Sequence, residues 1–162
     1  MEKDISSKIL NNIVLLGITL TICLLLFLPL GFTAFFKSNF GIVGSNIPII
    51  LSVGVYVCAV PYLIALISLK KLCSLIANKD PFSRQIPYHL KTISICAFSE
   101  ILIFNVVQLF LCYFFNVYFY ALNIIPAILV SFISLAIGFL SLVLGRLYTM
   151  AIEIKEENDK TI

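Results

Sequence analysis

The chain has 162 residues, of which 61% are hydrophobic and 12% are charged, and its formal net charge at pH 7 is +3. This composition leaves too few polar side chains to coat a water-soluble globule of that length, so it argues against a soluble fold. The basic residues are dispersed rather than clustered, so the positive charge does not indicate direct nucleic acid binding.

Four apolar blocks, at residues 13–36, 48–69, 93–115 and 124–144, make up most of the chain, and Glu100 is the only charged residue inside them. A hydrocarbon core about 30 Å thick needs about 20 helical residues, and each block supplies 21 to 24. The blocks lack the alternation of polar and apolar residues found in membrane barrel strands. We therefore predict an all-α polytopic membrane protein, a single domain with four transmembrane helices arranged as two hairpins.

The first block is too long for a cleavable signal peptide and has no cleavage pattern after it, so we expect it to remain as a helix. Ser6 and Ser7 are candidates to cap that helix. Pro29 removes the helical partner of the Leu25 carbonyl, and Pro61 has the same effect in the second block. Kinks are expected at both prolines.

The segment of residues 70–92 joins the second and third blocks. Apolar residues recur with helical spacing through Ile76, which predicts an amphipathic extension of the second helix as far as Asn78. Ser83 is placed to cap the third helix, with Phe82 beside it as a hydrophobic staple.

The fourth block carries a stripe of small residues at steps of four and three, which is typical of a close helix-packing face. The stripe consists of Ala127, Ser131, Ser134, Gly138, Ser141 and Gly145. Its partner is either another helix of this chain, which we favour, or a second copy in a homo-oligomer. The tail, residues 145–162, should continue the helix to near Asn158, where Glu156 and Lys160 are spaced to pair.

The basic residues also predict an orientation. Ten of the eleven lie in the N-terminal tail, in the segment of residues 70–92 or in the C-terminal tail. The remaining one is Lys37 in the first loop. By the positive-inside rule, both termini and the middle loop face the cytoplasm. We expect a multi-pass protein of the plasma membrane.

Glu100 is the one charge that the apolar blocks retain, and Asn105 and Gln108 lie about 140° and 80° around the same helix from it. These three polar residues form a candidate intramembrane site. One interpretation is a proton or cation site, or the contact for a cationic ligand; the other is a hydrogen-bonded packing site. His89 is either a pH-sensing residue or a solvated one at the interface.

No pattern typical of catalysis is present: there is no nucleophile with a base, no metal-ligand spacing and no phosphate-binding glycine loop. We therefore expect neither an enzyme, nor a cofactor, nor a metal. The five cysteines lie in or beside apolar blocks and are interpreted as packing residues rather than disulfide partners.

Two stretches carry a family resemblance: residues 79–94, which include Pro81-Phe82-Ser83, and the acidic Lys155–Ile162, which ends on Thr-Ile. The first is similar to the cytoplasmic "pF(S/T)-x-x-N-x-x-x-L-x-x-I" segment, and the second to the acidic ending, of DUF2975, a bacterial family of membrane proteins of unknown function. Arg84-Gln85-Ile86 stands where the family often has an acidic residue and an Asn. With the four spans in register, the resemblance covers nearly the whole chain. It implies a bacterial origin and no established activity, and it raises a small helix-turn-helix regulator as a partner.

Our leading hypothesis is a non-enzymatic regulatory protein that binds a partner through its cytoplasmic loop and tail, where opposite charges attract. The candidate interaction residues are Pro81, Phe82, Ser83, Glu156, Glu157, Asn158, Asp159, Thr161 and Ile162. The alternative is a small transporter, or an immunity-type membrane protein that resists a toxic peptide, with Glu100 as its functional residue in the helix bundle. Besides that partner, we expect contact with the lipid bilayer.

Overall fold

A computed structural model of the chain describes residues 2–40, 46–77, 82–115 and 120–160. These residues form four α-helices: α1 at Glu2–Phe40, α2 at Ile47–Ala77, α3 at Gln85–Phe115 and α4 at Tyr120–Lys160. All four are long and apolar enough to cross a membrane. The prediction of an all-α protein with four membrane-spanning helices is therefore confirmed.

Each helix contains its predicted apolar block and extends beyond it. α4 has 41 residues, which corresponds to about 60 Å of helix, twice the thickness of a hydrocarbon core of about 30 Å. Its last residues therefore lie outside the apolar layer, as predicted for the tail. The cap suggested for Ser6 and Ser7 is wrong, because α1 begins at Glu2 and continues through both residues.

The helices pack as consecutive neighbours. Among the described residues, α1 contacts α2, α2 contacts α3, and α3 contacts α4, whereas α1 and α4 do not touch. Residue numbers rise along α3 as they fall along α4: Ser94 binds Gly138, and Asn105 binds Ser131. These helices are antiparallel, so the start of α3 lies beside the end of α4.

Small residues allow α3 and α4 to approach closely. A Cβ atom built on Gly138 would lie 2.9 Å from two ring atoms of Phe98. The Ser94 hydroxyl donates a hydrogen bond of 2.9 Å to the Gly138 carbonyl, and both residues are buried. The small-residue stripe therefore packs within the chain at these positions, against α3.

Proline does not break the helices. α1 and α2 run without interruption through Pro29 and Pro61. The Leu25 carbonyl, which Pro29 deprives of its helical partner, accepts a hydrogen bond of 2.9 Å from the Tyr56 hydroxyl of α2. This bond satisfies the carbonyl where lipid could not, and it joins α1 to α2.

The surface of the helices is apolar, and the most deeply buried residues include serines. Leu26, Leu109 and Phe132 are 70%, 71% and 71% exposed, whereas Ser52 and Ser94 are 1% and 2% exposed. This distribution suits a bilayer, because lipid accepts apolar side chains while hydroxyl groups need partners inside the protein.

Candidate functional site

The main polar contact between distant segments lies where α3 begins and α4 ends. Four residues form it, and we call them the loop–tail clasp: Phe82 and Arg84 before α3, and Lys155 and Glu156 near the end of α4. The sequence separates the two pairs by about seventy residues, and the antiparallel packing of α3 on α4 brings them together.

An ion pair forms one half of the clasp. The Arg84 guanidinium donates from Nη2 to both oxygens of the Glu156 carboxylate at 2.7 Å, and from Nε to Oε1 at 3.0 Å. Arginine binds carboxylates well in this manner because its donors are fixed in a planar fork. The two side chains remain 78% and 42% exposed, so the pair is accessible to a competing charge.

A cation–π contact forms the other half. The Lys155 ammonium lies 4.5 Å from the centroid of the Phe82 ring, within the range for attraction to the ring face. Phe82 is itself 44% exposed. The clasp thus presents an aromatic ring, two cations and one carboxylate on a single exposed surface.

Local structure holds the loop side of the clasp in place. The backbone N–H of Gln85 donates to the Ser83 hydroxyl oxygen at 3.3 Å, and the N–H of Ile86 donates to the Ser83 carbonyl at 3.1 Å. These bonds confirm the prediction that Ser83 caps α3. Ile86 is fully buried, at 0% exposure, so the start of the helix is anchored directly beside Arg84.

The ion pair shifts the titration of both of its groups, which lie outside the apolar blocks. The hydrogen bond that Glu156 accepts raises the pKa of Arg84 above its ordinary value, and the attraction of the carboxylate adds to this. The hydrogen bond from Arg84 lowers the pKa of Glu156. Both groups are therefore held in their charged forms at neutral pH.

The predicted interaction residues have different places relative to the clasp. Two of them, Phe82 and Glu156, belong to the clasp, and Ser83 lies beside it. Three others lie outside the described residues: Pro81, Thr161 and Ile162. Glu157, Asn158 and Asp159 are exposed on the last turns of α4. The predicted spacing of Glu156 with Lys160 remains within the helix, but the ion pair of Glu156 is with Arg84.

Arg84 and Lys155 were not among the predicted interaction residues. Arg84 stands where the sequence departs from the family pattern. This departure is the feature of the sequence that could have identified Arg84 as an interaction residue. The charge of the tail alone could not identify its partner, because the middle loop also carries Lys70, Lys71, Lys79 and Lys91.

The candidate intramembrane site does not form a single cluster. Glu100 lies on the side of α3 toward α2, because it is two helical turns before Val107, whose Cγ1 atom would lie 3.1 Å from a Cβ atom built on Gly54 of α2. Asn105 instead donates to the Ser131 hydroxyl of α4 at 3.0 Å and to the Ile101 carbonyl at 2.7 Å. Gln108 is half-buried further along α3. No hydrogen bond joins Glu100 to Asn105.

Glu100 nonetheless has an unusual environment. Its Oε2 atom is buried and has no hydrogen-bond partner within the part of the chain that the structure describes.

His89 lies nearer the start of α3, where its ring meets Tyr88 edge-on with centroids 5.5 Å apart. Over the four described ranges, no three His, Cys, Asp or Glu residues are grouped to hold a metal ion.

Comparison with known proteins places most of the chain in one family. The model of a family described as "Protein of unknown function (DUF2975)" matches residues 42–162. This match takes in α2, α3 and α4, including both sides of the clasp, whereas α1 lies before it. No curated protein and no solved structure matches the chain.

Proposed function

The chain belongs to the DUF2975 family, and from that premise we propose that it is a regulatory membrane protein that binds a partner through its tail. In the closed state of this protein, the loop–tail clasp is intact. In the open state, a partner with a basic surface takes the Glu156 carboxylate away from Arg84. We infer from the positive-inside rule that the clasp faces the cytoplasm, in the bacterial cell that the family resemblance implies.

The observation that carries the proposal is the exposed Arg84–Glu156 ion pair between two segments 72 residues apart. An ion pair between exposed side chains contributes little net free energy, because water and salt compete for both charges. Such a contact is a poor structural support but a suitable switch, since a partner of matching charge can replace one side of it.

The charge of the tail indicates what kind of partner fits. Its carboxylates are Glu153, Glu156, Glu157 and Asp159, against the basic Arg146, Lys155 and Lys160. A DNA-binding protein carries a basic face for phosphate, so its charge is complementary to this tail. The helix-turn-helix regulator that the family resemblance raises has this property.

Pull-down from native membranes tests the proposal through variants with opposite effects. Arg84→Gln opens the clasp and leaves the acidic tail intact, so more partner should be captured. Glu156→Gln removes the carboxylate that the partner takes, and deletion of residues 155–162 removes the last eight residues of the tail, so both should capture less. Asp159→Asn is the matched comparison, because it removes one exposed carboxylate of the tail without touching the ion pair; Glu156→Gln should lose more partner than Asp159→Asn.

An unchanged list of captured proteins after the tail deletion would overturn the proposal, as would the absence of any partner for every variant. Equal capture by Arg84→Gln and Glu156→Gln would show that the clasp does not control access to the tail.

A second candidate function rests on the buried Oε2 atom of Glu100, which lacks a hydrogen-bond partner among the described residues. A carboxyl group in that position can accept a proton or meet a cation, as in a small transporter or an immunity-type protein. Ion flux into liposomes tests it: Glu100→Gln should abolish flux, whereas Glu100→Asp, which keeps an acid, should retain it. Absence of flux in the unaltered protein, together with unchanged survival of producing cells under peptide challenge, would remove this candidate.

A further inference from the structure

A groove of about 560 Å³ runs between α3 and α4, within the range of sizes that hold small ligands. Its α3 side includes Tyr88 and Lys91, and its α4 side includes Leu142, Arg146 and Met150. The clasp residues do not line it, so the groove is distinct from the surface proposed above.

Small residues create the space in the groove. Gly145 has no side chain, and a Cβ atom there would already lie 3.6 Å from the Cβ of Leu90. Ser141, one turn earlier, is short and 7% exposed. The two helices are therefore close at the base of the groove, while the longer side chains on either side form its walls.

The groove lies at the boundary of the apolar layer. Lys91 comes two residues before the block of residues 93–115, and Arg146 comes two residues after the block of residues 124–144. Because α3 and α4 are antiparallel, these two positions are at the same level, as the contact of Gly145 with Leu90 also requires. This level corresponds to the phosphate groups of a bilayer, whichever side of the membrane it faces.

The two cations are available to a ligand. Among the carboxylates of residues 82–113 and 124–160, none forms an ion pair with Lys91 or Arg146, whereas Glu156 forms one with Arg84. Below them, Leu142 is 36% exposed toward the apolar layer, and Tyr88 is 67% exposed at the boundary. The groove thus runs from Leu142 at the edge of the apolar layer, past the two cations, to Tyr88 and Met150 farther from that layer.

We propose that this groove binds one anionic phospholipid, with its phosphate between Lys91 and Arg146 and an acyl chain along Leu142. Basic sites between membrane helices at the interface favour such headgroups by charge. An acidic protein segment is a poorer occupant, because the apolar part of the groove faces the membrane interior, where lipid is already present.

The experiment uses the full-length protein in a neutral detergent and measures its affinity for two lipid probes by native mass spectrometry. Phosphatidylglycerol supplies a phosphate with a net negative charge, and phosphatidylcholine supplies the same phosphate with its charge offset. Inorganic phosphate and phosphatidylglycerol, compared in a separate arm with thermal unfolding as the readout, distinguish a lipid site from a site for free phosphate.

We expect phosphatidylglycerol to bind more tightly than phosphatidylcholine. A basic side chain near an anionic headgroup contributes a factor of about five in affinity. Either K91Q or R146Q should therefore reduce binding of phosphatidylglycerol about fivefold, and the double variant about 30-fold. The matched control is the double variant K70Q/K71Q, which removes the same charge from α2, outside the groove.

Three results would overturn the proposal. The first is equal affinity of the unaltered protein for both lipids. This measurement does not depend on the folding of any variant. The second is equal loss of phosphatidylglycerol binding in the groove variant and in the control, which would indicate a general charge effect. The third is stabilisation by millimolar inorganic phosphate as strong as that by the lipid. None of these outcomes depends on the clasp, so the proposed function is tested separately.

Discussion

Gly138 is the position where the packing of α3 on α4 can be tested most directly. A Cβ atom at this residue would lie 2.9 Å from Cε1 and Cζ of Phe98, closer than carbon atoms normally approach. The Phe98 ring has little freedom to withdraw, because it packs edge-on against Phe139 with centroids 5.5 Å apart. The Gly138→Ala substitution must therefore separate the helices or displace the ring.

The change in stability caused by Gly138→Ala is the sum of two opposing effects. Overpacking of a close contact costs about 1–3 kcal/mol, whereas replacing Gly by Ala inside a helix gains about 1 kcal/mol from backbone entropy. Gly31 provides the reference for the second effect alone, because a Cβ atom there meets nothing within 4 Å. Gly138→Ala should thus be less stable than Gly31→Ala by about 1–3 kcal/mol.

Reversible unfolding in mixed micelles, followed by helical ellipticity, measures both variants. A double-mutant cycle with Phe98→Leu identifies the cause, because the shorter side chain removes the ring atoms that the new methyl group meets. In the Phe98→Leu background, the cost of Gly138→Ala should fall by about 0.5–3 kcal/mol.

Two results would refute this reasoning. If Gly138→Ala is as stable as Gly31→Ala, then α3 and α4 are not in close contact at this level. If the cost of Gly138→Ala is unchanged in the Phe98→Leu background, then the ring is not what opposes the methyl group.

Three further predictions concern single polar contacts. Ser94→Ala should destabilise the α3–α4 pair by about 0.6 kcal/mol, the average for a hydrogen bond between membrane helices; the same unfolding assay checks it, and a gain in stability would contradict it. Tyr56→Phe should cost about 1–3 kcal/mol, because it leaves the Leu25 carbonyl without a donor in lipid; an unchanged unfolding free energy would show that another group satisfies that carbonyl. The pKa of Glu156 is lowered in the folded state by its hydrogen bond from Arg84, so the clasp should be intact above the ordinary pKa of a carboxyl group and should open as pH falls through the lowered value. A pair of spin labels on either side of the clasp measures this opening, which Arg84→Gln should make independent of pH.

The number of helices and their positions could be predicted from the sequence, because the requirement for about 20 apolar residues per span is local. The same holds for the Ser83 cap and for the helical continuation of α4, which depend on neighbouring residues. The cap proposed at Ser6 and Ser7 failed for a related reason: the apolar block marks where lipid begins, and a helix can extend past that boundary into water.

The candidate sites were harder to predict, because they depend on how the helices rotate against one another. Glu100 and Asn105 lie on the same helix, yet one turns toward α2 and the other toward α4. A difference of about 140° around α3 separates them, and the sequence does not contain the positions of the neighbouring helices.

The sequence by itself determined that this protein crosses a membrane, because transfer of apolar side chains into lipid depends on composition and length. Only the tertiary structure decided which charges meet. Several lysines of the middle segment were available to the acidic tail, and it is the antiparallel register of α3 on α4 that brings Arg84 to Glu156. The same register places Lys91 and Arg146 in one groove, since contacts between distant segments are set by packing.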